Sequence, residues 1–296
     1  MSIEEIGVVL SILTAISWSL AAVLYKVGLK EEDSDVIVAN GIRAFSALLF
    51  IFLATIFLGN LNEINKLTTW LLFLIVANVS VGILLGDCLF FIALRDAGVA
   101  IGYPVAYTYS LFVSIFAYFF LQEAVNIWTF ISAILVIFGI FLLFFKAEKS
   151  ESKHMVKGLV AAILTAMCWG ISIPILKILL LNIEPFFLNL VRLIVLNLIV
   201  WLLILSKKGK RRKIRSLGRS GLIALLTGGI FGIGLGAILF LFSINLIGAA
   251  KSTIITSSSP LFSTVLGVTV LKEKLDKLRI LGIATIILGI YIISIT

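Results

Sequence analysis

Ten long apolar runs, separated by short polar breaks, restrict this chain to very few environments in which it could fold. The runs fall near 6–26, 36–58, 70–94, 99–121, 127–145, 157–181, 185–205, 220–245, 249–271 and 278–295. A bilayer core about 30 Å thick takes a helix of about 20 mostly apolar residues, which is the length of these runs. Hydrophobicity that is continuous rather than alternating indicates helices and not barrel strands. Composition agrees. Of 296 residues, 61% are hydrophobic and 13% charged, with mean hydropathy +1.21. A soluble domain carries roughly 45–50% apolar and about 25% charged residues, and one core of this size could not bury the excess. The expected class is an all-α integral membrane protein with ten transmembrane helices.

The start, Met1-Ser2-Ile3-Glu4-Glu5, has neither a basic leader nor an Ala-x-Ala site, so no cleavable signal peptide is expected. Cys88 and Cys168 sit inside apolar runs, and His154 lies in a charged loop without carboxylate or thiol neighbours at ligand spacing. No disulfide framework, metal or other cofactor is expected from them.

Basic residues orient the stack. Four of the 24 lie inside runs: Lys26, Arg43, Lys177 and Arg192. Of the rest, 18 fall in the odd-numbered connections: Lys30; Arg95; Lys146, Lys149, Lys153 and Lys157; eight from Lys207 to Arg219; and Lys272, Lys274, Lys277 and Arg279. The opposite side holds only Lys66 and Lys251. The bias predicts a cell-membrane protein with those connections cytoplasmic and both termini outside. The cluster at 207–219 and the net charge of +9 are therefore read as a topology signal in contact with anionic lipid headgroups, and no nucleic-acid partner is expected. The oligomeric state stays open, with a monomer sufficient.

The chain is also written twice. At an offset of 150, Gly82, Gly86, Leu89, Phe90, Gly98 and Ala100 fall on Gly232, Gly236, Leu239, Phe240, Gly248 and Ala250. Leu121, Glu123 and Gly139 fall on Leu271, Glu273 and Gly289. Trp18 and Lys26 match Trp169 and Lys177 at 151, while Asn40 and Arg43 match Asn189 and Arg192 at 149. The halves, 1–148 and 149–296, hold five runs each. An odd number makes the second copy enter the membrane from the other side, giving two inverted-topology repeats of five helices, a construction transporters use.

Ile244, the stretch Gly248-Ala249-Ala250-Lys251, the stretch Ser259-Pro260-Leu261-Phe262, and then Glu273, Gly282 and Gly289 resemble an EamA-type repeat of the drug/metabolite transporter superfamily. Arg43, Gly98, Glu123 and Gly139 carry the same likeness more loosely. The resemblance covers 6–295 and implies a ten-helix carrier with a central cavity. Family substrates include amino acids, other metabolites and toxic organic compounds, and many members export. Relatives are commonly drawn with both termini cytoplasmic, the reverse of the charge bias here.

Candidate substrate-lining residues are the polar and aromatic groups inside the runs. A mid-helix arginine is costly in a bilayer, yet Arg43 and Arg192 recur at related positions, each three residues after an asparagine, Asn40 or Asn189, on the same helix face. They are either anion contacts, one per half, or structural groups bonded to helix carbonyls. Asp87, whose mate is Ala237, either pairs with Arg43 or carries a proton. Tyr103 and Tyr107, with mates Thr253 and Ser257, would form an asymmetric pocket, which Ser258 and Ser259 could join. The hydroxyls could instead bond their own helices. Trp18 and Trp169 serve as cavity walls or as packing. Lys26 and Lys177 are expected to snorkel to headgroups, and Glu123 and Glu273 to make loop or helix-end contacts. Gly82 and Gly86, and Gly228, Gly232 and Gly236, are spaced for close helix approach. Pro104 and Pro174 would loosen their helices.

Competing classes are weaker. There is no Gly-x-x-x-x-Gly-Lys-Ser/Thr cradle for ATP, no His-Glu-x-x-His pair and no Gly-x-Ser-x-Gly turn. A membrane scaffold or receptor remains, but the connections are too short to bind much. The expectation is a secondary transporter for an amino acid-like, anionic, zwitterionic or amphipathic small molecule.

Overall fold

The computed structural model describes residues 2–28, 35–59, 61–97, 99–145, 154–271 and 276–296. Lys30, Gly98, Lys146, Lys149, Lys153, Lys272, Glu273 and Lys274 lie outside the described residues, as do the side chains of Lys26, Arg95, Ala100, Arg215 and Leu271. The first half comprises α1 (Ile3–Gly28), α2 (Val36–Leu58), α3 (Thr69–Asn78), α4 (Asp87–Ala97), α5 (Val99–Ala106), α6 (Tyr109–Leu121) and α7 (Ile127–Phe144). The second comprises α8 (Met155–Leu180), α9 (Pro185–Leu205), α10 (Lys208–Ser216), α11 (Arg219–Gly229), α12 (Ala237–Ile247), α13 (Ala249–Thr256), α14 (Ser259–Leu271) and α15 (Lys277–Ile295). The helices start where the sequence provides acceptors for free amides. Asp35 accepts from Ile37 and Val38, Glu184 from Phe186 and Phe187 with Pro185 at the first turn, and Asp276 from Arg279.

Nine helical stretches among the described residues are long and apolar enough to cross a membrane. The expected run 249–271 is not among them; it is two helices, α13 and α14, parted at Ser257 and Ser258. Pro260 has no amide to continue the ladder, and the turn is closed by shorter bonds from Ser258 to Ile255 and from Leu261 to Ser258. The corresponding run of the first half breaks at Tyr107 and Thr108, 150 residues earlier, with the same bonds from Thr108 to Val105 and from Leu111 to Thr108. Both halves also widen into a π-helix at related places, Val79–Gly86 between α3 and α4 and Ile230–Gly236 between α11 and α12. A π turn displaces carbonyls from the ladder, and neighbours use them here. Asn40 donates to Ile83 O (3.5 Å), Asn189 to Ile233 O (3.2 Å), Ser17 to Phe231 O (2.6 Å) and Trp18 to Gly232 O (3.1 Å).

The halves interlock by exchanging partners. Helix α1 packs on α11 and α12, while α8 packs on α3 to α6; α2 lies against α9, and α7 against α15. Glycines make room at each exchange. A Cβ on Gly86 would sit 3.0 Å from the Trp169 ring, and one on its mate Gly236 would sit 2.7 Å from Trp18. Between α7 and α15, a Cβ on Gly139 would lie 2.7 Å from Gly282 O, and the reverse approach is also 2.7 Å. The outward faces carry large exposed apolar groups, among them Phe57, Phe119, Phe120, Leu198 and Leu202. Such a surface fits a lipid surround and would aggregate in water.

Among the described residues, the following contacts between helix ends join connections that an alternating path puts on one side. Asp35 pairs with Lys210 (2.6 Å) and Asp96 with Lys157 (3.9 Å). At the other set of ends, Glu4 pairs with Lys251 (2.5 Å), and Glu63 accepts from the Glu184 amide (3.2 Å). Glu123 accepts from the amides of Ala249 (2.6 Å) and Ala250 (3.0 Å). It thereby caps α13 across the halves. Lys177 does not snorkel outward. Its Nζ donates to Ile244 O (3.0 Å) and Asn245 O (3.3 Å), where the end of α12 carries partial negative charge.

Candidate functional site

Two polar clusters form inside the bundle, one around each intramembrane arginine. Burial makes both demanding, since a guanidinium removed from water needs a counter-charge or a full set of acceptors. Arg43 on α2 is 4% exposed. Its Nε donates to Asn40 Oδ1 on the preceding turn (2.9 Å), and its Nη2 is ion-paired with Asp87 at the start of α4. The guanidinium also lies 5.1 Å from the Tyr25 ring centre and 5.8 Å from that of Phe91, within cation–π range. Asp87 takes a second donor from α8, the Trp169 indole N–H (3.1 Å).

The second cluster is built differently. Arg192 on α9 is 6% exposed. Its Nε donates to Asn78 Oδ1 (2.9 Å) and its Nη1 to Asn189 Oδ1 (3.1 Å). Asn78 is held in turn by donating to the carbonyl and hydroxyl of Ser172, each at 2.8 Å. Both of the arginine's acceptors are neutral amides. No carboxylate pairs with Arg192 among the described residues, although Asp87 lies within electrostatic range.

An aromatic wall continues from the first cluster. Trp169 contacts Phe90 (5.1 Å between ring centres), Tyr109 (5.3 Å) and Tyr107 (6.3 Å), and Phe90 contacts Tyr103 (5.1 Å). Tyr107 exchanges a hydrogen bond with Ser259 of the other half (2.9 Å). Trp18 repeats the Trp169 arrangement on the second half, 5.0 Å from Phe240. Its indole N–H ends on Gly232 O, because position 237 holds alanine where Asp87 stands in the first half.

The sequence candidates thus divide. Asn40, Arg43, Asp87 and Trp169 meet directly, and Tyr103 and Tyr107 adjoin them through Phe90. Asn189 and Arg192 form the core of the second cluster. Thr253, in α13, and Ser257, at the turn just after it, are fully buried. The Ser257 hydroxyl bonds Thr253 O on its own helix (2.8 Å), while the Thr253 hydroxyl has no partner among the described residues. Tyr25, Asn78, Phe90, Tyr109 and Ser172 were not anticipated. Asn78 was visible as an isolated amide inside an apolar run. Tyr25 was masked by its neighbour Lys26, which drew attention to the helix end.

Comparison with known proteins gives this geometry a context. The EamA-like transporter family matches the chain twice, over residues 5–145 and 156–295. A protein of Archaeoglobus fulgidus named "Uncharacterized transporter" is 29% identical over 286 residues, covering 97% of each chain. A solved crystal structure of a protein 16% identical to this one superposes with a TM-score of 0.80, over 97% of this chain and 98% of the other. At that identity the likeness shows the fold alone.

Proposed function

The chain belongs to the EamA-like transporter family, and on that premise we propose that it is a secondary carrier for a small solute bearing a carboxylate or similar anionic group. It is a multi-pass membrane protein, and its family and its relative's name point to a transporter rather than an enzyme. The observation that carries the proposal is the unequal neutralisation of the two related arginines. Arg43 has its counter-charge within the protein, in Asp87. Among the described residues Arg192 has only amide acceptors, so a solute anion would supply the counter-charge. The nearby Trp169, Phe90 and Tyr103 would pack against the rest of an amino acid-like or amphipathic molecule.

In this reading the chain crosses the membrane ten times, as two inverted halves of five helices that rock against each other around the site. The exchange of helix partners and the sorting of helix-end contacts support it. So do the matched breaks at 107–108 and 257–258. The basic bias favours a cell membrane location with both termini outside. A reporter fused after Thr296 should then behave as extracytoplasmic, and cytoplasmic activity would reverse the orientation.

Counterflow into vesicles tests the function. Purified protein, reconstituted and preloaded, should exchange at least one labelled amino acid or organic acid. Uncharged sugars and organic cations should not compete. Folded protein that moves none of a broad carboxylate panel would refute the proposal and leave the scaffold reading standing.

A further inference from the structure

An apolar cleft of about 400 Å³ opens on the outer surface between α2 and α9. Its walls include Phe45 and Leu48 on α2, and Ile194, Leu198, Trp201 and Leu205 on α9. The helices touch at Gly41, where a Cβ would lie 2.6 Å from Ile204 and 3.1 Å from Val200. The polar groups at the cleft satisfy one another. Asn197 donates to Ala44 O (3.0 Å) and Leu193 O (2.8 Å) and accepts from the Trp201 indole (3.2 Å). What faces outward is hydrocarbon, with Phe45, Leu198, Leu202 and Leu205 each exposed.

The α9 wall runs from Ile194 to Leu205, about 16 Å at the helical rise, close to half of a roughly 30 Å bilayer core. It ends at α10, a short basic helix held against the bundle by the Lys210–Asp35 ion pair and by the packing of Ile214 and Leu217. Lys207, Lys208, Arg211 and Arg212 stay exposed there. The other end of the helix pair lacks this feature: the connection after α2 carries Lys66, which is paired with Glu63 (2.7 Å).

From this juxtaposition we infer that the α2–α9 cleft is a binding site for one anionic phospholipid, with a hydrocarbon chain along Ile194 to Leu205 and the phosphate headgroup on the exposed cations of α10. The length of the groove matches one leaflet and the charge matches one headgroup class. A second copy of the chain in the groove would bring another cluster of like charge against this one. The site is separate from the arginine clusters, so it stands or falls independently of the transported solute.

Brominated lipid chains quench tryptophan on contact, which makes Trp201 the reporter. Protein is placed in phosphatidylcholine vesicles holding a minority of brominated phosphatidylglycerol or, in parallel, brominated phosphatidylcholine. The Trp201 signal is read as the difference between the wild type and Trp201→Phe. The anionic lipid should quench roughly tenfold more effectively at equal mole fraction, since several basic residues each favour it. Replacing Lys207, Lys208, Arg211 and Arg212 with Gln should remove that preference while leaving quenching by the neutral lipid and the melting temperature unchanged. Raising the salt concentration on wild-type protein should weaken the preference without any mutation. Equal quenching by both lipids would overturn the inference. So would a Trp201 shielded from both lipids in a concentration-dependent dimer, which would assign the groove to a second copy.

Discussion

The Arg43 guanidinium is ion-paired with the Asp87 carboxylate across α2 and α4, inside the membrane-embedded part of the bundle. Removing one partner of a buried pair strands the other, at a cost of about 3–5 kcal/mol, whereas removing both is often near neutral. Asp87→Ala should therefore lower the melting temperature and the folded yield in detergent. Arg43→Leu combined with Asp87→Leu should recover most of the loss. A double variant as unstable as the sum of the singles would mean that the pair acts through other contacts.

Glu123 and Gly248 make a second separable unit. The carboxylate caps the amides of Ala249 and Ala250, and Gly248 has φ of +85° with any Cβ placed 2.9 Å from that carboxylate. Glu123→Ala should destabilise by about 1–2 kcal/mol, the cost of losing a helix cap. Gly248→Ala should cost at least as much, through backbone strain and the clash. Thermal unfolding in detergent reads both, and an unchanged melting temperature in Glu123→Ala would contradict the capping role.

The approach of α7 and α15 at Gly139 and Gly282 leaves no room for a side chain against either backbone oxygen. Gly139→Leu should push the helices apart and cost about 1–3 kcal/mol or more, as overpacking does. A cysteine pair placed at this crossing should cross-link in the wild-type background and fail to do so beside Gly139→Leu. Equal cross-linking in both would disprove the close contact.

Stability should depend on pH through Asp35. Burial opposes its ionisation, but the Lys210 ammonium and the amides of Val38 and Ile37 outweigh that and hold its carboxyl below the ordinary value of 3.8. A carboxyl depressed in the folded state adds stability above its unfolded pKa and loses it as pH falls through the folded one. Asp35→Asn should lower the melting temperature at neutral pH. The difference from wild type should shrink as acid is added below about pH 4. A gap that is constant with pH would show that charge is not what Asp35 contributes.

Much of this architecture was legible because bilayer physics leaves few options for apolar runs of this length. Nine of the expected runs correspond to stretches, among the described residues, that are long and apolar enough to cross a membrane. The runs 99–121 and 249–271 were each read as one helix, because hydropathy does not register the turns at 107–108 and 257–258 that part them. The π-helical turns were invisible for a similar reason, since they depend on which carbonyls neighbouring side chains can reach. The Arg43–Asp87 pair was among the expectations because charges inside apolar runs have few possible partners. The role of Lys177 was misjudged, since a lysine near a helix end looks the same whether it reaches headgroups or the carbonyls of α12. Asn78 escaped notice because its partners, Ser172 and Arg192, lie in the other half of the chain.

The most direct test compares counterflow of a labelled carboxylate solute by wild-type protein with that by Arg192→Gln in the same vesicles. The site described here predicts that Arg192→Gln folds, with its partners Asn78 and Asn189 still bonded to Ser172 and Ile233. Exchange should nevertheless fall by at least about tenfold, the loss expected when a charge-assisted contact is removed. Exchange at the wild-type rate by folded Arg192→Gln would contradict the account, because the unneutralised arginine would then have no part in binding the solute.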